Sequence, residues 1–152
     1  MGQYHYICNL DRREYLKPTT FGDGLKLLEF APSGNGVMAG LAVLLAATNG
    51  PNGRGGGDLH PWNEAFAYWG PGYDDRPVPV TGREDYLMNE VVGRWAGDRI
   101  AIVGDYHDEG DAGHEDNPWA NPDAWTDVSK EAIEAMRLDY YLGQEVREVL
   151  PA

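Results

Sequence analysis

A chain of 152 residues with 42% hydrophobic and 11% aromatic side chains holds enough apolar material for one domain core, which argues against disorder. Its net charge of −13 opposes contact with phosphate backbones and anionic membranes, so direct nucleic-acid or membrane binding is not expected, and cations and basic proteins are the favoured partners. Cys8 is the single cysteine, which excludes an intrachain disulfide and a thiolate metal cluster and suits a reducing, cytoplasmic setting.

The opening Met1-Gly2-Gln3 lacks the basic-then-apolar pattern of a secretory leader. Tyr4, Tyr6, Cys8 and Leu10 then alternate with His5, Ile7 and Asn9, the period of a strand in which Cys8 is a small buried hydrophobe. Asp11-Arg12-Arg13 makes a polar turn and Glu14-Tyr15-Leu16 returns, giving a first hairpin. The apolar run from Leu25 to Phe30 fits a strand or a helix, with a short strand the favoured reading. Ser33 to Gly36 supplies turn chemistry and an N-cap for Val37–Ala47, a run about half as long as a bilayer span requires. That helix is apolar on every face and is expected as the central buried element, with Ala39, Gly40 and Ala42 allowing close approach.

Residues from about 49 to 82 form a Gly/Pro-rich, irregular loop region. Within it Arg54 sits in a flexible glycine segment, and a short helix is expected from Pro61 to Trp69, with His60 in a packing or capping role. Glu84 to Val92 reads as a short helix or strand. Gly93-Arg94-Trp95 and Arg99 to Val103 flank Ala96-Gly97-Asp98, a second hairpin. At the C-terminal end Ser129 can N-cap a helix, Val128 and Ile133 can staple it, and Ile133, Met136, Tyr140 and Tyr141 give it an apolar stripe that ends near Gly143. Together these elements predict a single α+β domain over 1–152: a mainly antiparallel sheet built from hairpins, one buried apolar helix, and a C-terminal covering helix.

Charge is unevenly spread. Residues 1–97 carry eleven acids against eight bases, and residues 98–152 carry fourteen against four. The excess peaks in an acidic loop over about 105–124, where Asp105 to Asp116 holds six carboxylates and two histidines just past an apolar strand. Crowded like charges there make a cation site, a docking surface for a basic protein, or a solvated loop. Laid on a calcium-loop template, Asp105, Glu109, Gly110 and Asp116 fall at the first, fifth, sixth and twelfth positions, but His107 is a poor calcium ligand and Pro118 interrupts a following helix. A looser divalent-cation site (calcium, magnesium, manganese or zinc) would draw on Asp105, His107, Asp108, Asp111, His114 and Asp116. A docking surface would use Asp105, Asp108, Glu109 and Asp111, with Trp119 and Trp125 either anchoring the partner or covering the core.

Val103-Gly104-Asp105-Tyr106-His107 resembles the first motif of calcineurin-like metallophosphoesterases, in which a strand delivers an Asp and a His to a metal pair. The resemblance covers about eight residues, and Gly113-His114-Glu115-Asp116 departs from that family's Asn-His pair. A metal-dependent hydrolase with Asp105, His107, Asp108 and His114 is therefore the alternative reading. The blocks Met1-Gly2-Gln3-Tyr4, Asn9-Leu10-Asp11, Glu14-Tyr15-Leu16, Phe21 to Phe30, Gly93 to Ile100, Gly104-Asp105 and Trp125 to Ser129 resemble an uncharacterised family of small bacterial, archaeal and phage proteins; this implies a shared fold and no activity. No elbow motif or paired catalytic acids mark a serine, cysteine or glycoside hydrolase. The leading expectation is a small acidic cytoplasmic binding protein, inhibitor- or immunity-like or regulatory. A structural subunit of a larger assembly is a further alternative, and homo-oligomerisation stays open.

Overall fold

A computed structural model describes residues 2–47 and 86–136. The expected loop region 49–82, the Pro61–Trp69 helix, His60, Arg54, Tyr140, Tyr141 and Gly143 lie outside the described residues.

Four strands form one mixed sheet: β1 (His5–Asn9), β2 (Glu14–Leu16), β3 (Ile100–Gly104) and β4 (Thr126–Asp127), in the order β3-β1-β2-β4. β1 pairs antiparallel with both β2 and β3, with Ile7 opposite Leu16 on one side and Ile102 on the other. β4 runs parallel to β2, placing Glu14 opposite Thr126. The helical pieces of the described residues are α1 (Leu27–Phe30), α2 (Val37–Leu45), α3 (Ser129–Met136), a π-helical turn (Leu87–Val91) and two 3-10 turns (Pro18–Phe21 and Pro122–Ala124), and the class is α+β. None of the described helices is long and apolar enough to cross a membrane.

The alternation in β1 sends successive side chains to opposite faces of the sheet. Ile7 joins Leu16, Phe30, Val37, Leu44, Trp95, Val128 and Ala132 under the helices. Cys8 faces the other way, with Val103, Trp125, Tyr6, Tyr15 and Trp119. Trp119 and Trp125, which follow the acidic run 105–116, thus cover the second face of the sheet.

Three expectations about elements are corrected. Leu25 to Phe30 is not a strand. Leu25 and Lys26 touch the sheet margin, with the His5 N–H donating to the Leu25 carbonyl at 2.9 Å, and the chain then turns helical. Glu29 drives that turn, its Oε1 accepting the Lys26 N–H at 3.0 Å while its own N–H donates to the Lys26 carbonyl at 2.8 Å. Gly93–Trp95 is likewise no strand, and β3 pairs with β1 instead of closing a hairpin on it. The N–H groups of Gly93 and Trp95 donate at 3.0 and 2.9 Å to the carbonyls of Val43 and Leu44, satisfying the open C-terminal end of α2.

α2 also differs from expectation, since it buries Val37, Gly40 and Leu44 while Ala42 and Leu45 are exposed. Its uniform hydrophobicity hid which face is covered. At Gly40 it is the Phe21 ring that comes close, 2.6 Å from a Cβ built there, while the Ala132 methyl of α3 would stand at an ordinary 3.6 Å. α3 buries Ser129, Ala132 and Ala135, small side chains that fit this near crossing. The α2 N-terminus is capped by Asp23, whose Oδ2 accepts the Val37 N–H at 2.7 Å and the Ser33 hydroxyl at 3.1 Å. Ser129 Oγ accepts the Lys17 N–H at 2.8 Å, tying the end of β2 to α3.

Candidate functional site

The turn of the first hairpin and the acidic loop face each other across an open groove of about 660 Å³. Leu10, Asp11, Arg13 and Arg99 line one side; Glu109–Asp111 and Gly113–Asp116 line the other. Five carboxylates thus meet two guanidiniums.

The hairpin wall is rigid for local reasons. Asn9 is fully buried, its Oδ1 accepting the N–H groups of Asp11 and Arg12, both at 2.9 Å, while its Nδ2 donates to Asp98 at 2.9 Å. The turn closes with Arg13 at φ 55°, a left-handed conformation rare for a side chain of this size. Asp11 accepts the Arg99 N–H at 2.7 Å and Nε at 2.8 Å. These hydrogen bonds, the backbone one foremost, hold the Asp11 carboxyl below the usual carboxylate range.

The opposite wall is held from beneath by Asn117, also fully buried. Its Nδ2 donates to the carbonyls of Gly113 and His114 at 2.8 and 3.2 Å, and its Oδ1 accepts the Ala120 N–H at 2.9 Å. Gly113 has φ 78°, and a Cβ there would lie 3.2 Å from Leu10 and 3.3 Å from Val103. Only glycine combines that backbone with that approach.

The six carboxylates named from the sequence do not converge. Asp105 Oδ1 accepts the Tyr4 N–H at 3.0 Å, closing the end of β3 on β1. Asp111 Oδ2 accepts the Asp108 N–H at 2.7 Å, a local turn. Asp116 accepts the Trp125 indole N–H at 2.8 Å and pairs with Arg13 at 2.7 Å. The Asp108 side chain is exposed, as are those of Glu109 and Glu115. No group of three or more His, Cys, Asp or Glu side chains is placed to hold a metal ion among the described residues. The histidines do meet, with Nδ1 of His107 and His114 3.2 Å apart.

Both tryptophans turn inward. Trp125 is 7% exposed, and Trp119 stacks on Tyr6 with ring centroids 3.9 Å apart while its indole N–H donates to the Val103 carbonyl at 2.9 Å. Their rings stiffen the loop from below and leave the groove face to charged and small residues. In the same layer burial pushes the Cys8 thiol up to about 12, and the Tyr6 and Tyr15 phenols rise for the same reason, helped by nearby Asp127. Cys8 is accordingly an inert core thiol at neutral pH.

Sequence reasoning missed the hairpin half of the groove: Asp11, Arg13 and Arg99. The available signal was a basic doublet, Arg12-Arg13, inside a tight turn of a strongly acidic chain.

No family model matches the chain. Neither the curated proteins nor the solved structures contain a match to it.

Proposed function

We propose that the chain is a small acidic binding protein of the cytoplasm that seats a Lys/Arg-rich segment of a partner protein in the groove between the hairpin turn and the acidic loop. One observation carries this reading: the groove's two arginines are already matched, Arg13 by Asp116 and Arg99 by Asp11, whereas Glu109 and Glu115 enter no ion pair given by the described residues. The surplus is therefore negative, exposed and mounted on a braced backbone, the arrangement that attracts and orients a cationic segment. The partner's guanidinium or ammonium groups would pair with Glu109, Asp111 and Glu115 and exchange with the edge carboxylates Asp11 and Asp116. Trp119 and Trp125 serve this reading as the rigid floor of the loop. Cytoplasmic residence is supported by the single, unpaired cysteine.

Titration of the full chain with a fluorescent oligo-arginine peptide tests the idea. Saturable binding is expected that weakens at least tenfold in the double variant Glu109→Gln/Glu115→Gln and falls steeply with added salt. Binding that is absent, or unmoved by both changes, rejects the groove as the site.

A further inference from the structure

His107 and His114 approach each other edge to edge, with Nδ1 to Nδ1 at 3.2 Å, ring centroids 5.2 Å apart and planes inclined at 66°. The rings do not stack; their Nδ1 edges are what come together. An imidazole–imidazole hydrogen bond at this separation lies at the long limit for an N–H donor and requires opposite Nδ1 protonation on the two rings. Two Nδ1 atoms brought this close have another use, as paired ligands of one ion. Nitrogens each about 2.0–2.1 Å from one tetrahedral zinc ion stand roughly 3.3 Å apart. The observed separation fits that spacing.

We propose that His107 and His114 form a two-imidazole site for a single borderline divalent transition ion of the zinc, nickel or copper(II) type, with water completing its coordination. The backbone under both rings is already placed. His107 follows closely on the end of β3, anchored where Asp105 exchanges hydrogen bonds with Tyr4. His114 is fixed by its N–H to the Asp111 carbonyl at 3.1 Å and by the fully buried Asn117, which bonds its carbonyl. Such support lowers the ordering cost of ligation. His114 lines the open groove, so an ion and its waters have a path in. The neighbouring carboxylates Asp108, Glu109, Asp111 and Glu115 lend the site a negative field without entering the first coordination sphere. Nitrogen donors reverse the selectivity expected from the acid-rich sequence: imidazole favours copper, nickel and zinc, while calcium and magnesium require oxygen ligands. The ion shares its groove and its surrounding carboxylates with the peptide of the binding reading but has its own ligands, so zinc uptake lost in the His variants and peptide binding lost in Glu109→Gln/Glu115→Gln are separate outcomes.

Tag-free, chelator-treated full chain titrated calorimetrically with zinc tests it, alongside cobalt(II) absorption and imidazole nitrogen NMR. One ion per chain is expected, with both Nδ1 resonances moving on zinc addition. His107→Asn and His114→Asn should each weaken binding at least tenfold with unchanged circular dichroism, whereas His5→Asn should not. Millimolar calcium or magnesium should leave the histidine resonances in place. The proposal is overturned by the absence of stoichiometric zinc uptake, by uptake that survives loss of both imidazoles, or by uptake that disappears in Asp108→Asn/Asp111→Asn with the His variants unaffected. Should His114→Asn disturb the fold, the nitrogen resonances of the unmodified chain still decide, since zinc held elsewhere leaves both Nδ1 signals unmoved.

Discussion

Arg13 Nε lies 2.7 Å from Asp116 Oδ2, a bond that joins the turn of the first hairpin to the acidic loop. Arg13 also carries φ 55°, so the residue that holds the loop does so from a strained backbone. Replacing it separates the two effects. Arg13→Ala keeps the strain and loses an exposed ion pair worth about 0–1 kcal/mol. Arg13→Gly loses the same pair and relieves about 1–2 kcal/mol of left-handed cost, tempered by the greater freedom of the unfolded glycine chain. Chemical denaturation should place Arg13→Gly at or above Arg13→Ala in stability. Both variants should bind an oligo-arginine peptide more tightly than the parent, because Asp116 loses its internal competitor.

Glu14 is the buried counterpart of that surface pair. Its Oε2 meets Arg94 Nη2 at 2.6 Å, and its Oε1 accepts from Arg94 Nε and the Trp95 indole, both at 2.9 Å. Arg94 retains 32% of its side-chain exposure, which lets water take over part of the charge when the carboxylate is removed. Glu14→Ala is therefore expected to cost about 2–4 kcal/mol, below the upper range for a fully enclosed pair. Glu14→Gln keeps an acceptor for Trp95 and should recover part of the loss in the same urea titration.

Asn117 tests whether the loop is held from below. Asn117→Ala strands the carbonyls of Gly113 and His114 and the N–H of Ala120, each worth about 1–3 kcal/mol when dry. The loop lies near water, so a loss of about 2–4 kcal/mol is expected, with amide exchange accelerated through 107–120 and little changed in β1. Uniform acceleration through the whole chain would mean the loop and the sheet unfold as one unit.

Much of this was readable from residue order. The β1 alternation and the first hairpin turn follow from local rules, because each depends on neighbours a few residues away. Ser129, expected as the N-cap of α3, is instead its first helical residue, and its Oγ serves the distant Lys17 N–H. The second hairpin failed since Gly93–Trp95 answers to a distant partner, the open carbonyls of α2. Leu25–Phe30 failed because Glu29 closes a turn that apolar composition alone conceals. At the groove, charge density found one wall and missed the other, and it overstated convergence. Asp105 is engaged by Tyr4, Asp111 by Asp108, and Asp116 by both Trp125 and Arg13, so none is left to converge with the others. The His107–His114 contact spans seven positions, with no periodic pattern to announce it.

Alkaline stability follows from the second core layer. The Cys8 thiol is raised from 9.0 to about 12 by burial, and Tyr6 and Tyr15 are raised as well. The folded chain thus keeps protons that the unfolded chain releases, so stability is fully present below about pH 9 and falls as pH climbs toward 12. Each tenfold gain in proton affinity on folding corresponds to about 1.4 kcal/mol, so ionisation of the thiol in the unfolded chain alone removes several kcal/mol by the upper end of that range. Thermal melts from pH 7 to 11 should show a plateau and then a decline above pH 9. Cys8→Ala should flatten that decline, and thiol reagents should react with Cys8 only in denaturant.

Gly93 offers the sharpest check on the helix cap that replaced the expected strand. It sits at φ 76°, its N–H holds the Val43 carbonyl at 3.0 Å, and a Cβ there would meet the Ala46 carbonyl oxygen at 2.9 Å. Alanine meets two penalties at once, a left-handed backbone costing about 1–2 kcal/mol and a contact that backbone atoms alone can relieve. Gly93→Ala should lose about 2–3 kcal/mol in urea unfolding and raise amide exchange at the C-terminal end of α2 and at Trp95. Gly97, also at positive φ with open space around its would-be Cβ, supplies the control: Gly97→Ala should show the backbone cost alone. If the two variants are equally stable, the close packing of the 93–95 turn on α2 is not what fixes that end of the helix.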